Sequence, residues 1–116
     1  MSNHKSTVER YIEGFNRADN EQILSCLTED VVWQLHGHKT LTGKNAFREE
    51  IESGASQGVP ALTLDRLVEE GDTVAATGEG SLATDADKPR RFVFSEVFTF
   101  TGDAVSRLDT YHLWLD

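Results

Sequence analysis

The sequence has one cysteine, two prolines, few basic residues and no long apolar run. With Cys26 alone, no intramolecular disulfide can form, and a reducing cytoplasm is the expected setting. No apolar stretch approaches the length that crosses a bilayer, and MSNHKSTVER carries no apolar segment of the kind a signal peptide needs. Lys and Arg number 11 against 20 Asp and Glu, a formal charge of −9. Such a field repels phosphate backbones and anionic lipid, so nucleic-acid and membrane partners are not expected. The excess acid serves solubility and does not imply a cationic substrate. There is no G-x-S-x-G, no P-loop and no G-x-G-x-x-G.

What remains is a 116-residue chain with 38% hydrophobic and 27% charged residues, enough for one core and one domain spanning 1–116. Ser6-Thr7-Val8-Glu9 fits a capping box, and Val8, Tyr11, Ile12 and Phe15 follow as the apolar stripe of a helix ending near Arg17-Ala18. Asp19 suits the N-cap of a short second helix that turns Ile23, Leu24 and Leu27 inward, with Cys26 as a small buried hydrophobe. Val31 to Leu35 reads as a strand and 36–43 as a loop. A third helix over 43–51 faces Ala46, Phe47 and Ile51 inward, and Ser53 to Pro60 is a linker.

The second half predicts a meander of four long strands. These are Leu62–Val68, Thr73–Ala83, Arg91–Phe100 and Ala104–Leu115, with turns at 70–72, 85–89 and 101–103. Gly78 and Gly80 suggest a bulge or sharp bend. The stretch RFVFSEVFTF sets Glu96 in one row with Phe92, Phe94, Phe98 and Phe100. If that row is the inner face, the carboxyl group must be paired, hydrogen-bonded or kept protonated by a raised pKa. A bulge turning Glu96 outward, or pairing with Arg91 or Arg107, is the alternative. In the last strand one face reads Val105, Arg107, Asp109, Tyr111, Leu113 and the other Ser106, Leu108, Thr110, His112, Trp114. Both are mixed, which suits a strand lining a pocket on one side and meeting another subunit on the other, or simple edge exposure.

Three stretches, VERYIEGFNRADNEQILSCLTEDVVWQ (8–34), LTGKNAFREEI (41–51) and SEVFTFTGDAVSRL (95–108), together resemble the nuclear transport factor 2-like superfamily. That group includes ketosteroid isomerases and SnoaL-like polyketide cyclases. The resemblance implies an α+β fold in which a curved mixed or antiparallel sheet wraps N-terminal helices as a cone-shaped barrel. It also implies a deep apolar pocket for a small hydrophobic molecule, no cofactor or metal, and a homodimer formed through the outer sheet face. Carried over from ketosteroid isomerases, Tyr11 takes the place of the oxyanion-hole tyrosine and Glu96 that of the protonated acid beside it. The general base of those enzymes falls at Leu35, which cannot accept a proton, so ketosteroid isomerisation itself is not implied.

Two other groups remain as proton carriers. A one-residue bulge would aim His36 into the pocket; otherwise it is exposed at the strand end. Asp109 resembles an acid used by some SnoaL-like cyclases, or it pairs with Arg107. Phe15, Trp33, Leu35, Phe94, Phe98 and Tyr111 are the candidate pocket lining. His36 and His38 form an H-x-H pair, but no third ligand has diagnostic spacing and no metal is expected. The expected activity is a cofactor-independent isomerase, cyclase or lyase acting on a small carbonyl compound through an enolate. The alternative is a binding module for a small ligand or a partner protein.

Overall fold

The apolar stripe of the first segment forms α1 (His4–Asn16), with Val8, Tyr11 and Ile12 buried. The computed structural model describes residues 3–54, 60–83 and 89–115. The expected capping box is not used. Asn3 occupies the N-cap position, no side chain caps the helix, and Thr7 Oγ1 donates back to Asn3 O at 3.2 Å. The helix therefore starts one turn earlier than the local pattern implies, with Ser6 inside its first turn. His4 fixes this end to the sheet: its ring stacks on Phe100 at 4.0 Å and its Nε2 lies 3.0 Å from Gly102 O.

Ala18, at φ 52°, turns the chain, and Asp19 caps α2 (Asn20–Leu24) by accepting from Gln22 N at 3.0 Å. The second helix is only five residues long. Leu27, expected on it, instead opens β1 (Leu27–Leu35), and the buried Cys26 lies in the junction. The expected loop at 36–43 contains β2 (Lys39–Thr42), paired antiparallel with β1 across a turn with Gly37 at φ 79°. An edge strand with one inward hydrophobe, Leu41, leaves too short a pattern for alternation to reveal. The third helix, α3 (Lys44–Gly54), buries Phe47 and Ile51 as expected, while Ala46 stays half-buried. Most of the expected linker (55–59) and most of the expected turn before the Phe-rich strand (84–88) lie outside the described residues.

The meander forms as β3 (Pro60–Glu70), β4 (Thr73–Leu82), β5 (Arg90–Thr101) and β6 (Ala104–Trp114). The sheet order is β2-β1-β6-β5-β4-β3, antiparallel except for the β1–β6 pair, so the sheet is mixed. β2 and β3 are its two edges. The expected barrel is thus an open six-stranded sheet whose inner face holds the helices. Asn16 shields the β3 edge, donating to Leu62 O at 2.9 Å and accepting from Leu62 N at 2.6 Å.

The bulge anticipated at Gly78 and Gly80 lies across from them, between Leu64 and Arg66 of β3. The glycines answer a packing need. A Cβ on Gly78 would meet Thr63 O and stand 2.7 Å from Phe94 Cζ, and one on Gly80 would stand 2.7 Å from Phe92 Cζ. Both phenylalanine rings lie on bare β4 backbone. A second irregularity, at Ser106 between the Thr99–Arg107 and Phe100–Val105 pairs, moves Val105 onto the inner face with Leu108. Strict alternation sets Val105 in the row of Arg107 and Asp109 instead.

Candidate functional site

Along β5, Phe92, Phe94, Glu96, Phe98 and Phe100 are all buried, while Val93, Ser95, Val97 and Thr99 are half-buried. The register with β6 runs unbroken through Phe94–His112, Glu96–Thr110 and Phe98–Leu108. No bulge turns Glu96 outward. It sits 7% exposed on the inner face, and its side-chain hydrogen bond is to Thr110 rather than to an arginine.

The inner face opens into two adjoining chambers. The inner one, about 150 Å³, is bounded by Tyr11, Phe15, Trp33, Phe94, Glu96 and Thr110, among others. The outer one, about 320 Å³, shares Phe15, Trp33, Pro60 and Phe92 with it. Glu50, His112 and Trp114 also line this outer space. The helices place Tyr11 and Phe15 one turn apart on α1, so both reach the same cavity. Tyr11 packs edge-on against Phe15, Phe47 and Phe98, with ring centroids 5.1, 6.3 and 5.3 Å away, which fixes where its hydroxyl can point.

A directed chain of hydrogen bonds holds Glu96. Trp33 Nε1, which can only donate, donates to Thr110 Oγ1 at 2.8 Å. The single Thr110 proton is then given to Glu96 Oε2 at 2.7 Å. Oε2 is thereby an acceptor, and in the neutral acid the proton resides on Oε1, which has no partner among the described residues. Burial raises the Glu96 pKa from 4.5 to about 7, with the Thr110 bond acting in the opposite direction. The Tyr11 hydroxyl is also buried and without a hydrogen-bond partner among the described residues. Burial, then the charges of Glu96 and Cys26, push its pKa well above the ordinary value, so it remains a neutral donor. Tyr11 and Glu96 both line this apolar chamber, and O–H donors in such a site stabilise an oxygen of developing negative charge.

The other candidates lie elsewhere. Asp109, expected to serve the pocket, points to the opposite face of the sheet, because Thr110 beside it points inward. Its carboxylate is held by Arg107 Nε at 3.0 Å and His36 Nε2 at 2.9 Å. Partial burial acts against ionisation, but these partners leave the Asp109 pKa below its ordinary value. His36 follows the β1 strand outward and stacks on Tyr111 at 4.2 Å, so no bulge brings it inside. Tyr111 is 46% exposed and lines neither chamber. Phe98, fully buried, and the half-buried Leu35 belong to the core and its margin. No group of three His, Cys, Asp or Glu suited to a metal ion occurs among the described residues.

Sequence reasoning passed over Thr110, His112 and Glu50. Thr110 and His112 fall in one row of β6 by alternation, but both rows are mixed, and only cross-strand register shows that this row, not that of Asp109 and Tyr111, takes the inner side. Glu50 lies in the outer chamber with its carboxylate 2.6 Å from Lys39 Nζ. His112 packs edge-on against Phe92 at 4.3 Å and tilted against Trp114 at 4.6 Å, over which Arg90 lies at 3.8 Å. His112 is exposed at the chamber mouth, yet partial burial of its ring, together with the Arg90 charge, holds its pKa below the usual imidazole value.

Many solved structures share this architecture. A nuclear transport factor 2-like protein of unknown function from Burkholderia pseudomallei is 21% identical, with a TM-score of 0.87 over 96% of this chain and 91% of that one. An LEH-like epoxide hydrolase from M. tuberculosis is 15% identical, with a TM-score of 0.83 over 92% of this chain and 80% of that one. A protein with a ketosteroid isomerase-like fold from Catenulispora acidiphila, in complex with trimethylamine, is 13% identical, with a TM-score of 0.83 over 90% and 83% of the two chains. At these identities the likeness establishes the fold and leaves activity to the site itself. No curated protein matches the chain. The SnoaL-like domain model matches residues 8–108, spanning both the helices and the inward-facing strands just described, and the chain belongs to the SnoaL-like domain family.

Proposed function

We propose that this protein is a cofactor-independent enzyme of the isomerase, cyclase or lyase type, acting on a small, largely apolar carbonyl compound. The carbonyl oxygen enters the inner chamber and accepts hydrogen bonds from Tyr11 and from neutral Glu96. The body of the substrate lies among Phe15, Trp33 and Phe94 and extends into the outer chamber. As the adjacent C–H bond ionises, negative charge gathers on the oxygen, and two fixed donors in an apolar site favour that state over the neutral ketone. The observation that carries this reading is the buried, partnerless hydroxyl of Tyr11 and the buried carboxyl of Glu96, hydrogen-bonded by Thr110 alone among the described residues, on one apolar cavity.

Residues 1–116 act as one domain in this account, and the single buried thiol suits a reducing, cytoplasmic setting. Exposed Tyr111 and Leu113 on the outer sheet face suit a homodimer. A second reading, a ligand-binding module without turnover, is favoured by one observation: besides Tyr11 and Glu96, no titratable side chain lines the inner chamber among the described residues.

Titration with substituted phenols, whose phenolates mimic an enolate oxygen, tests the oxyanion site. Tyr11→Phe is expected to weaken binding about 10-fold or more, the loss of one hydrogen bond to a charged group. Glu96→Gln keeps a donor toward the cavity and is expected to retain binding while removing its fall above about pH 7. Binding that is indifferent to both substitutions would remove the basis for the proposal.

A further inference from the structure

We propose that His112 is the proton-transferring catalytic residue of this site, removing a proton from the carbon next to a carbonyl group held in the inner chamber. The inference rests on the oxyanion reading given above and adds the base that reading lacks. Three placements lead to it. Register puts His112 opposite Phe94, one inward position beyond the Glu96–Thr110 pair, about 7 Å along the same strand face. That spacing lets a carbonyl oxygen meet Glu96 while the neighbouring carbon faces the imidazole. His112 lines the outer chamber, which adjoins the inner one across Phe15, Trp33, Pro60 and Phe92. Its ring is oriented by Phe92 and Trp114 on either side.

The charged groups near it are Arg90 of β5, whose charge acts on the ring, and Glu50 of α3, which lines the same chamber, while Asp109 and Tyr111 of its own strand point to the other face. Partial desolvation of the ring and then the charge of Arg90, stacked on Trp114, favour the neutral imidazole, the form able to accept a proton. Glu50 is the rival base in the chamber, but its carboxylate is engaged by Lys39. In the step itself, the C–H bond breaks and its proton goes to an unprotonated ring nitrogen of His112. The bonding pair becomes the C=C of an enolate, and the carbonyl pair moves to the oxygen facing Tyr11 and Glu96. The proton on the imidazolium exchanges with solvent, and delivery of a proton, or in D2O a deuteron, back to carbon restores the imidazole with no other reactant consumed.

The test follows deuterium incorporation at the α-carbons of 2-tetralone in D2O by NMR, alongside phenol binding by each variant. Wild type is expected to accelerate exchange with a bell-shaped pH profile. The rising limb reports deprotonation of His112, and the falling limb, near pH 7, reports ionisation of Glu96. His112→Gln should lose about 100-fold or more of the catalysed exchange while phenol still binds, and the rising limb should vanish. Glu96→Gln should flatten the falling limb. Exchange unchanged in His112→Gln, abolished instead by Glu50→Gln, or absent from wild type that still binds phenol overturns the assignment of His112. Phenol binding insensitive to Tyr11→Phe overturns the oxyanion site instead, so the two failures are separable.

Discussion

At position 96 a carboxyl group is stabilised as the acid by its surroundings, and this has a cost that pH should reveal. The folded-state pKa of about 7 lies above the ordinary 4.5, so folding takes up a proton in that interval. The most favourable contribution of Glu96 is present below pH 4.5 and is lost as pH rises through 7, a loss of about 3 kcal/mol when complete. Glu96→Gln should therefore gain stability relative to wild type between pH 5 and 8, seen as a widening Tm difference in calorimetry. An equal difference at both pH values would mean that Glu96 is not buried as a titrating acid. Tyr11→Phe removes a buried hydroxyl without a partner, and should raise stability by about 1 kcal/mol in urea titrations while weakening phenol binding. That the inward row of β5 contains Glu96 was legible from alternation alone. The direction of its proton was not, because Thr110 and Trp33 are 14 and 77 residues from their partners in sequence.

Among elements, β4 is shaped by what it lacks. Gly78→Ala would drive a methyl group into Thr63 O and the Phe94 ring, and is expected to cost about 1–3 kcal/mol in chemical denaturation. The same substitution should disturb the inner chamber, since Phe94 lines it; unchanged stability would mean that the ring does not lie on the glycine backbone. Both glycines were conspicuous in the sequence, but one strand's pattern cannot tell a bulge from a close approach of the next strand. The short β2 was illegible for a different reason: four residues with one inward side chain give alternation nothing to repeat. Periodicity served the long elements well. The stripe Val8, Tyr11, Ile12 and Phe15 does face inward, although its capping box does not cap. On β6, the irregularity at Ser106 changed the face of Val105, and the inward Thr110 settled which side Asp109 takes.

Taken as a whole, the molecule has a helix-covered inner sheet face with the chambers and an outer face where Asp109, His36 and Arg107 form a polar cluster beside exposed Tyr111 and Leu113. If a second copy covers that outer face, Leu113→Glu should convert a dimer to a monomer in light scattering while leaving phenol binding intact. A wild-type monomer at high concentration would exclude the dimer. The acidic balance, −9 over the chain, gives no help in locating the site, which is apolar and built from side chains far apart in sequence. Everything at the site depends on Glu96 holding its proton near neutrality and offering it to the inner chamber. Carbon-detected NMR of 13C-labelled glutamate tests it most directly. One carboxyl should titrate near pH 7 in wild type, and that titration should be missing from Glu96→Gln. If every glutamate instead titrates in the ordinary carboxylate range, Glu96 is ionised at neutral pH and the oxyanion site does not exist.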